Sequence, residues 1–189
     1  AQNNLGAAYA NGQGVTQDYK KAFEWYSKSA EQGNADAQKY LGFLYEDAKG
    51  VSQDYKKAFE WYSKSAEQGN ADAQNRLGIF YANGRGVAQD YKKAFDWYSQ
   101  SAEQGHANAQ NRLGAIYANG LGVTQDYKKA FDWYSKSAQA GNVDAQFTLG
   151  MMYHLGDGTN KDNEMATIWL KKAADNGHKD AISIFEEVN

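Results

Sequence analysis

Three histidines, His106, His154 and His178, are the side chains of this sequence best suited to hold a metal or move a proton at neutral pH. His106 and His178 fall in equivalent turns, in the slot that Asn34, Asn70 and Asn142 fill elsewhere, and so read as exposed turn residues. They are two structural units apart, roughly 20 Å if neighbouring helices pack about 10 Å apart, and cannot share an ion. No H-E-x-x-H motif accompanies them, and the chain has no cysteine to supply a thiolate ligand. The residues predict neither a metal nor a cofactor.

Other chemistry fares no better. "GQGV" and "GDGT" look like half a dinucleotide fingerprint, but the third glycine is missing and each follows a helical pattern instead of a strand. They read as helix-ending glycines. "DGTNKDNE" at Asp157 is acidic but lacks calcium-loop spacing, and reads as a solvated loop. The serines of "YSKS" recur on helix surfaces with no histidine near them, and there is no G-x-S-x-G. Nothing here assembles a catalytic centre, and the expectation is a non-enzyme.

Composition narrows the classes further. The 189 residues are 42% hydrophobic, 14% aromatic and 23% charged, which argues for a packed core and against disorder. A net charge of −3, with Lys and Glu interleaved, leaves no basic footprint for nucleic acid. No apolar run approaches the eighteen or so residues of a membrane span, so no membrane insertion is expected. Exported, periplasmic and cytoplasmic placements all stay open. The chain opens at "AQNNLG", in phase with "AQKYLG" at Ala37 and therefore inside a repeat, which reads as a trimmed or mature form.

The elements that carry these residues are written five times. "DYKKAFEWYSKSAEQG" runs from Asp18 to Gly33 and returns unchanged from Asp54 to Gly69. Edited copies start at Asp90 and Asp126, and a much altered one, "DNEMATIWLKKAADNG", at Asp162. Trp25, Trp61, Trp97, Trp133 and Trp169 keep one 36-residue step, as do Gly6, Gly42, Gly78, Gly114 and Gly150. A fixed period of this length signals a solenoid or array.

Each repeat reads as two helices. In the second, Tyr19, Ala22, Phe23, Tyr26 and Ala30 recur at three- and four-residue steps, with Trp25 beside them as a core candidate. Lys20, Lys21, Glu24, Lys28 and Glu31 take the opposite face. Asp18 stands where an N-cap would, Gly33 supplies a left-handed stop, and Asn34 caps the next helix. The first helix is shorter, roughly 36 to 47 in the second repeat, with Ala37, Leu41, Leu44 and Tyr45 as its buried stripe. A mid-helix Gly42 costs about 1 kcal/mol of propensity, so its recurrence predicts a close helix approach. Neither helix can bury its face alone, whereas stacked pairs bury it jointly.

The pattern "LG..Y..G.GV..D..KA..WY.KSA..G...A" resembles the Sel1-like repeat, a relative of the tetratricopeptide repeat, and the resemblance covers the whole chain. It implies an all-α, right-handed α/α superhelical solenoid of about five helix-turn-helix repeats (1–36, 37–72, 73–108, 109–144 and 145–180) plus a terminal helix at about 179–188. That makes about eleven helices and no sheet. The terminal helix reads as a cap or as the cut edge of a longer array. Two departures stand out. Ala48 replaces the glycine of the other repeats, and repeat five has Asn163, Thr167 and Leu170 where the others carry Tyr, Phe and Tyr. Some bacterial proteins resembling this family are linked to β-lactam binding or hydrolysis, but S-x-x-K, S-D-N and K-T-G are all missing.

The resemblance also implies protein–protein interaction, through first helices that line a concave groove. Between repeats these helices change mainly at Asn3/Lys39/Asn75/Asn111/Phe147, Ala7/Phe43/Ile79/Ala115/Met151 and Ala10/Glu46/Ala82/Ala118/His154. Steps of four and three make these one stripe, expected opposite the buried one. Phe43, Ile79, Phe147 and Met151 supply apolar anchors, flanked by Arg76 and Arg112. Lys39, Glu46, Asn75, Asn111 and His154 complete the expected partner-binding groove. The expected role is a non-catalytic scaffold or adaptor for a protein or peptide, with the monomer as the expected state. An inhibitor or immunity-type protein, a β-lactam- or cell-wall-related enzyme, and a consensus-like structural array stay open as alternatives.

Overall fold

The structure, a computed structural model, describes residues 1–186, with side chains described through residue 184. Among the described residues it is helical throughout, with eleven helices and no strand. The first helices of the repeats are α1 (Gln2–Asn11), α3 (Ala35–Glu46), α5 (Ala71–Asn83), α7 (Ala107–Asn119) and α9 (Val143–Leu155). The second helices are α2 (Tyr19–Glu31), α4 (Tyr55–Glu67), α6 (Tyr91–Glu103), α8 (Tyr127–Gln139) and α10 (Asn163–Asp175). A last helix, α11 (Lys179–Glu186), follows; the two final residues of the expected terminal helix, 187 and 188, lie outside the described residues.

The helix limits follow from side-chain caps. The Asp18 carboxylate accepts from the amides of Lys20 and Lys21, and Asp54, Asp126 and Asp162 cap their helices in the same slot. Asn34, Asn70 and Asn142 cap the first helices. His106 and His178 do the same through Nδ1, which accepts from Ala109 and Ala181. Both imidazoles are half-buried caps, which corrects the expectation of exposed turn residues. The loop between the two helices is tied down twice in repeats one to four, and repeat five, with Lys161 in place of the glutamine, keeps the backbone bond from Asp162 to Tyr153. The Asp54 amide donates to the Tyr45 carbonyl at 3.0 Å, and Gln53 Nε2 donates to the Glu46 carbonyl at 2.8 Å.

The chain forms two compact bodies, Ala1–Trp97 and Tyr98–Asn189. In the first, α1 through α5 pack on one another in chain order. Its core alternates small and large side chains: Ala22, Tyr26, Ala30, Ala37, Leu41 and Leu44 in one layer, then Ala58, Tyr62, Ala66, Ala73, Leu77 and Phe80 in the next. In the second body α7 through α11 pack in chain order around Ala130, Tyr134, Ala138, Ala145, Leu149 and Met152. Alanines let the helices approach, and the tyrosine ring fills the space between them.

That ring explains the mid-helix glycine. A Cβ placed on Gly42 would stand 2.7 Å from Tyr62 Cδ1, and one on Gly114 would stand 2.8 Å from Tyr134 Cδ1. The helix gives up propensity so that a buried aromatic can lie flat against its backbone. The residue after the first helix has a different requirement. Gly84 has φ 66°, and Ala48, its counterpart in repeat two, is held at φ 55° in the same left-handed region. Repeat two therefore carries backbone strain that the others avoid.

Candidate functional site

Two repeated aromatics divide their roles differently from the sequence expectation. Tyr26 and Tyr62 are 1% exposed and make the core, whereas the tryptophans are only half-buried. Trp61 packs at the margin of a core layer and is covered on its other side by Lys64, whose Nζ lies 4.2 Å from the ring centroid. Lys28, Lys136 and Lys172 cover Trp25, Trp133 and Trp169 in the same way. The repeated face is thus used up in stacking and in its own cation–π pairs. The repeats differ from one another along the variable stripe of the first helices.

In the N-terminal body the stripe is more deeply set than expected. Glu46 is 5% and Asn75 is 7% exposed, so neither stands opposite the core. Glu46 is drawn inward by two hydrogen-bond donors and a further ion pair. Tyr62 Oη donates to Oε2 at 2.8 Å, while Arg85 Nη1 lies 3.2 Å and Arg76 Nη1 3.7 Å from Oε1. Burial, reinforced by the Glu46 carboxylate, pushes the Tyr62 phenol far above its ordinary pKa. Asn75 keeps its Oδ1 buried without a hydrogen-bond partner. Lys39 turns toward the start of the following first helix and meets Asp72 at 2.9 Å. Burial works against its ammonium, but Asp72 outweighs it and holds the Lys39 pKa above the ordinary value. Phe43 is half-buried against the core layer under Lys49 Nζ, 4.5 Å from its ring centroid, and Ile79 is half-buried.

In the C-terminal body Phe147 also faces the following repeat. Its ring stacks on His178 with centroids 4.2 Å apart and 9° between the planes. Position one of the stripe is therefore a repeat-to-repeat contact in both bodies, which the sequence period could not reveal. Met151 lies farther along α9. It lines an open apolar cleft of about 170 Å³ with Ala118, Tyr127, Tyr134, Thr148, Met152, Leu155 and Asp157. Leu155 is 59% and Tyr127 45% exposed at its rim. Neither was among the residues expected to bind a partner. Leu155 could have been found, because it replaces Asn11, Asp47, Asn83 and Asn119 of the other repeats. Asn111 is half-buried, and Arg112 and His154 are exposed. Burial pushes the Tyr98 and Tyr134 phenols up to about 12, with the positive charge of Arg112 working the other way.

Among the described residues no group of three or more His, Cys, Asp or Glu side chains could hold a metal ion. None of the described helices is long and apolar enough to cross a membrane. What both stretches of stripe offer is contact chemistry: half-buried apolar side chains, exposed guanidiniums, and a cleft the size of one or two side chains.

Comparison with known proteins bears on the repeat and the fold. The model described as "Sel1 repeat" matches residues 1–34, 35–70, 71–106, 107–142 and 143–178. A protective antigen of uropathogenic Escherichia coli is 38% identical over 95% of this chain, with a TM-score of 0.91. This chain spans 38% of that antigen's length. A Sel1 repeat protein from Oxalobacter formigenes is 41% identical over 95% of this chain and 74% of its own, also with a TM-score of 0.91. An immunity protein of Pseudomonas aeruginosa, 20% identical over 94% of this chain and 67% of its own with a TM-score of 0.57, shares the fold alone. No curated protein matches the chain.

Proposed function

The chain belongs to the Sel1 repeat family, and from that premise we propose that it is a non-catalytic scaffold holding a protein or peptide segment against the variable stripe of its first helices. Sel1 repeat proteins are typically interaction scaffolds. The observation that carries the reading is the cleft beside Met151. Leu155 is large, apolar and mostly in water, at a position that the other repeats fill with Asn or Asp, and Tyr127, the counterpart of the core-packed Tyr19 and Tyr55, is 45% exposed beside it. Exposed apolar side chains around a concavity cost solubility and are the chemistry of a partner contact. Met151 suits such a place, since its unbranched thioether can adapt to the shape of an incoming side chain. Ile79 and Phe43 are the corresponding contacts in the N-terminal body.

The test is a photo-crosslinking scan. A photoreactive phenylalanine analogue is placed at Met151, Leu155 and Ile79, and separately at Glu24 and Lys128 on the exposed face of the second helices. The stripe positions should capture one defined protein or peptide from the native host and the second-helix positions should not. Equal capture from both sets would refute the assignment.

A further inference from the structure

Glu46 is the one charged side chain among the buried polar residues described, and stacking does not require it. Repeats one, three and four carry Ala10, Ala82 and Ala118 in its place. A buried carboxylate must be compensated, and Tyr62 Oη on one oxygen with a single guanidinium on the other would do so. Here a second guanidinium is added. Arg76 and Arg85 both direct Nη1 at Oε1, so two positive charges are gathered on one oxygen by a single negative one. The group is left with one unit of positive charge, on a chain whose net charge is −3.

The arginine pair is also placed to be reached. Their side chains are 42% and 43% exposed, against 6% for Glu46. Each guanidinium has five N–H donors in a planar fork, and Glu46 engages one nitrogen of each. The Tyr55 ring, 5.8 Å from Arg85 Cζ, steadies the second fork. The neighbouring cations are already matched: Lys39 by Asp72 and Asp36, and Lys49 by Asp47. Two donor-rich forks, Arg76 on α5 and Arg85 on the turn that follows it, thus stand side by side beside the stripe, each engaged by Glu46 through one nitrogen. A carboxylate meets that geometry with two parallel hydrogen bonds.

We propose that Arg76 and Arg85 form a carboxylate-binding element, and that the segment held on the stripe is acidic where it crosses the second and third repeats. This rests on the scaffold reading above and names the partner's chemistry. Glu46 gathers the two forks in the unbound chain and, as their counter-charge, competes with an incoming carboxylate. A nucleic acid is disfavoured, because one arginine pair is not the continuous cationic track that a phosphate backbone demands.

The experiment selects binders to the whole chain from a phage-displayed library of random twelve-residue peptides. Selected peptides are then measured against variants and at rising salt. The wild type should enrich Asp- and Glu-containing peptides, and their affinity should fall with salt. Arg76→Gln/Arg85→Gln in the Glu46→Ala background should bind them at least ten-fold more weakly. That background restores the alanine of the other repeats and avoids a stranded carboxylate, and an unchanged urea midpoint would verify the fold. Glu46→Ala alone, which keeps both cations and removes their counter-charge, should bind at least as tightly as wild type. Peptides without acidic enrichment, or unchanged affinity in the arginine variant, would overturn the inference. If such peptides still weaken with Ile79→Ala or Met151→Ala, the stripe survives and only the acidic partner falls. No selected peptide, or insensitivity to every stripe variant, would sink both. A labelled thymidine oligonucleotide bound as tightly as the peptides would overturn the acidic-peptide assignment.

Discussion

Ala140→Gln should stabilise the protein by about 1 kcal/mol, because it supplies a donor that repeat four lacks. In repeat two Gln38 donates Nε2 to the Ala30 carbonyl, and its Oε1 accepts from Gln68 Nε2 at 2.6 Å. In repeat five's neighbourhood Gln146 Oε1 accepts from Asn176 Nδ2 at 2.9 Å. Gln110 keeps the first bond, to the Ala102 carbonyl at 3.2 Å, but its Oε1 is buried without a partner. The donor slot holds Ala140. Its backbone, φ −74° and ψ 2°, is close to that of Gln68 at φ −85° and ψ 5°, so glutamine fits without strain. An unmet buried acceptor costs about 1–3 kcal/mol. Freezing a glutamine fully would cost about 1.5–2 kcal/mol, but at an exposed C-cap only part of that is lost. The net gain of about 1 kcal/mol corresponds to roughly 2–4 °C in Tm for a chain of this size. Urea midpoints should be read in a double-mutant cycle with Gln110→Met, which removes the acceptor. The gain should vanish in that background. An equal gain in both, or none in either, would refute the reasoning.

Ala48→Gly should stabilise by about 0.5–1 kcal/mol and Gly84→Ala destabilise by about 1 kcal/mol, since both residues sit at positive φ and a Cβ on Gly84 meets nothing closer than 3.4 Å; equal urea midpoints for Gly84→Ala and its parent would contradict this. Gly42→Ala should cost about 1–3 kcal/mol by pressing a methyl into the buried Tyr62 ring, and a urea midpoint equal to that of the wild type would contradict the clash. Stability should fall in alkali. Burial raises the pKa values of Tyr26, Tyr62, Tyr98 and Tyr134 above the ordinary 10.0, so the unfolded chain releases those protons first. Their contribution is complete below pH about 10 and is lost as pH rises through the folded values. Phenolate absorbance should show these four titrating together with the loss of helical dichroism, and a smooth titration of all fourteen tyrosines with helix intact would contradict it.

The helices and their limits were legible because each signal is local. The three- and four-residue spacing of Ala22, Tyr26 and Ala30, the aspartate caps and the αL glycines act within one turn of chain. Recurrence at 36 residues then turned local signals into a stack. The close approach at Gly42 could be inferred for the same reason, although its partner, Tyr62, could not. What escaped the sequence depends on contacts between repeats. Period alone placed Glu46 and Phe147 on an outward stripe. Tyr62 and two arginines pull Glu46 inward, and His178 of the following repeat covers Phe147. Trp61 looked like a core residue by type, yet it is the smaller Tyr62 that lies against the glycine and fills the interior, a slot that Leu170 takes in repeat five.

The affinity of a crosslinked partner for Met151→Ala, with the urea midpoint read on the same sample, bears most directly on the scaffold assignment. Met151 lines the exposed cleft, so its truncation should weaken binding by about 2 kcal/mol or more, roughly thirty-fold, while the midpoint stays near that of the wild type. Unchanged affinity with an unchanged midpoint would contradict the account and move recognition off the stripe.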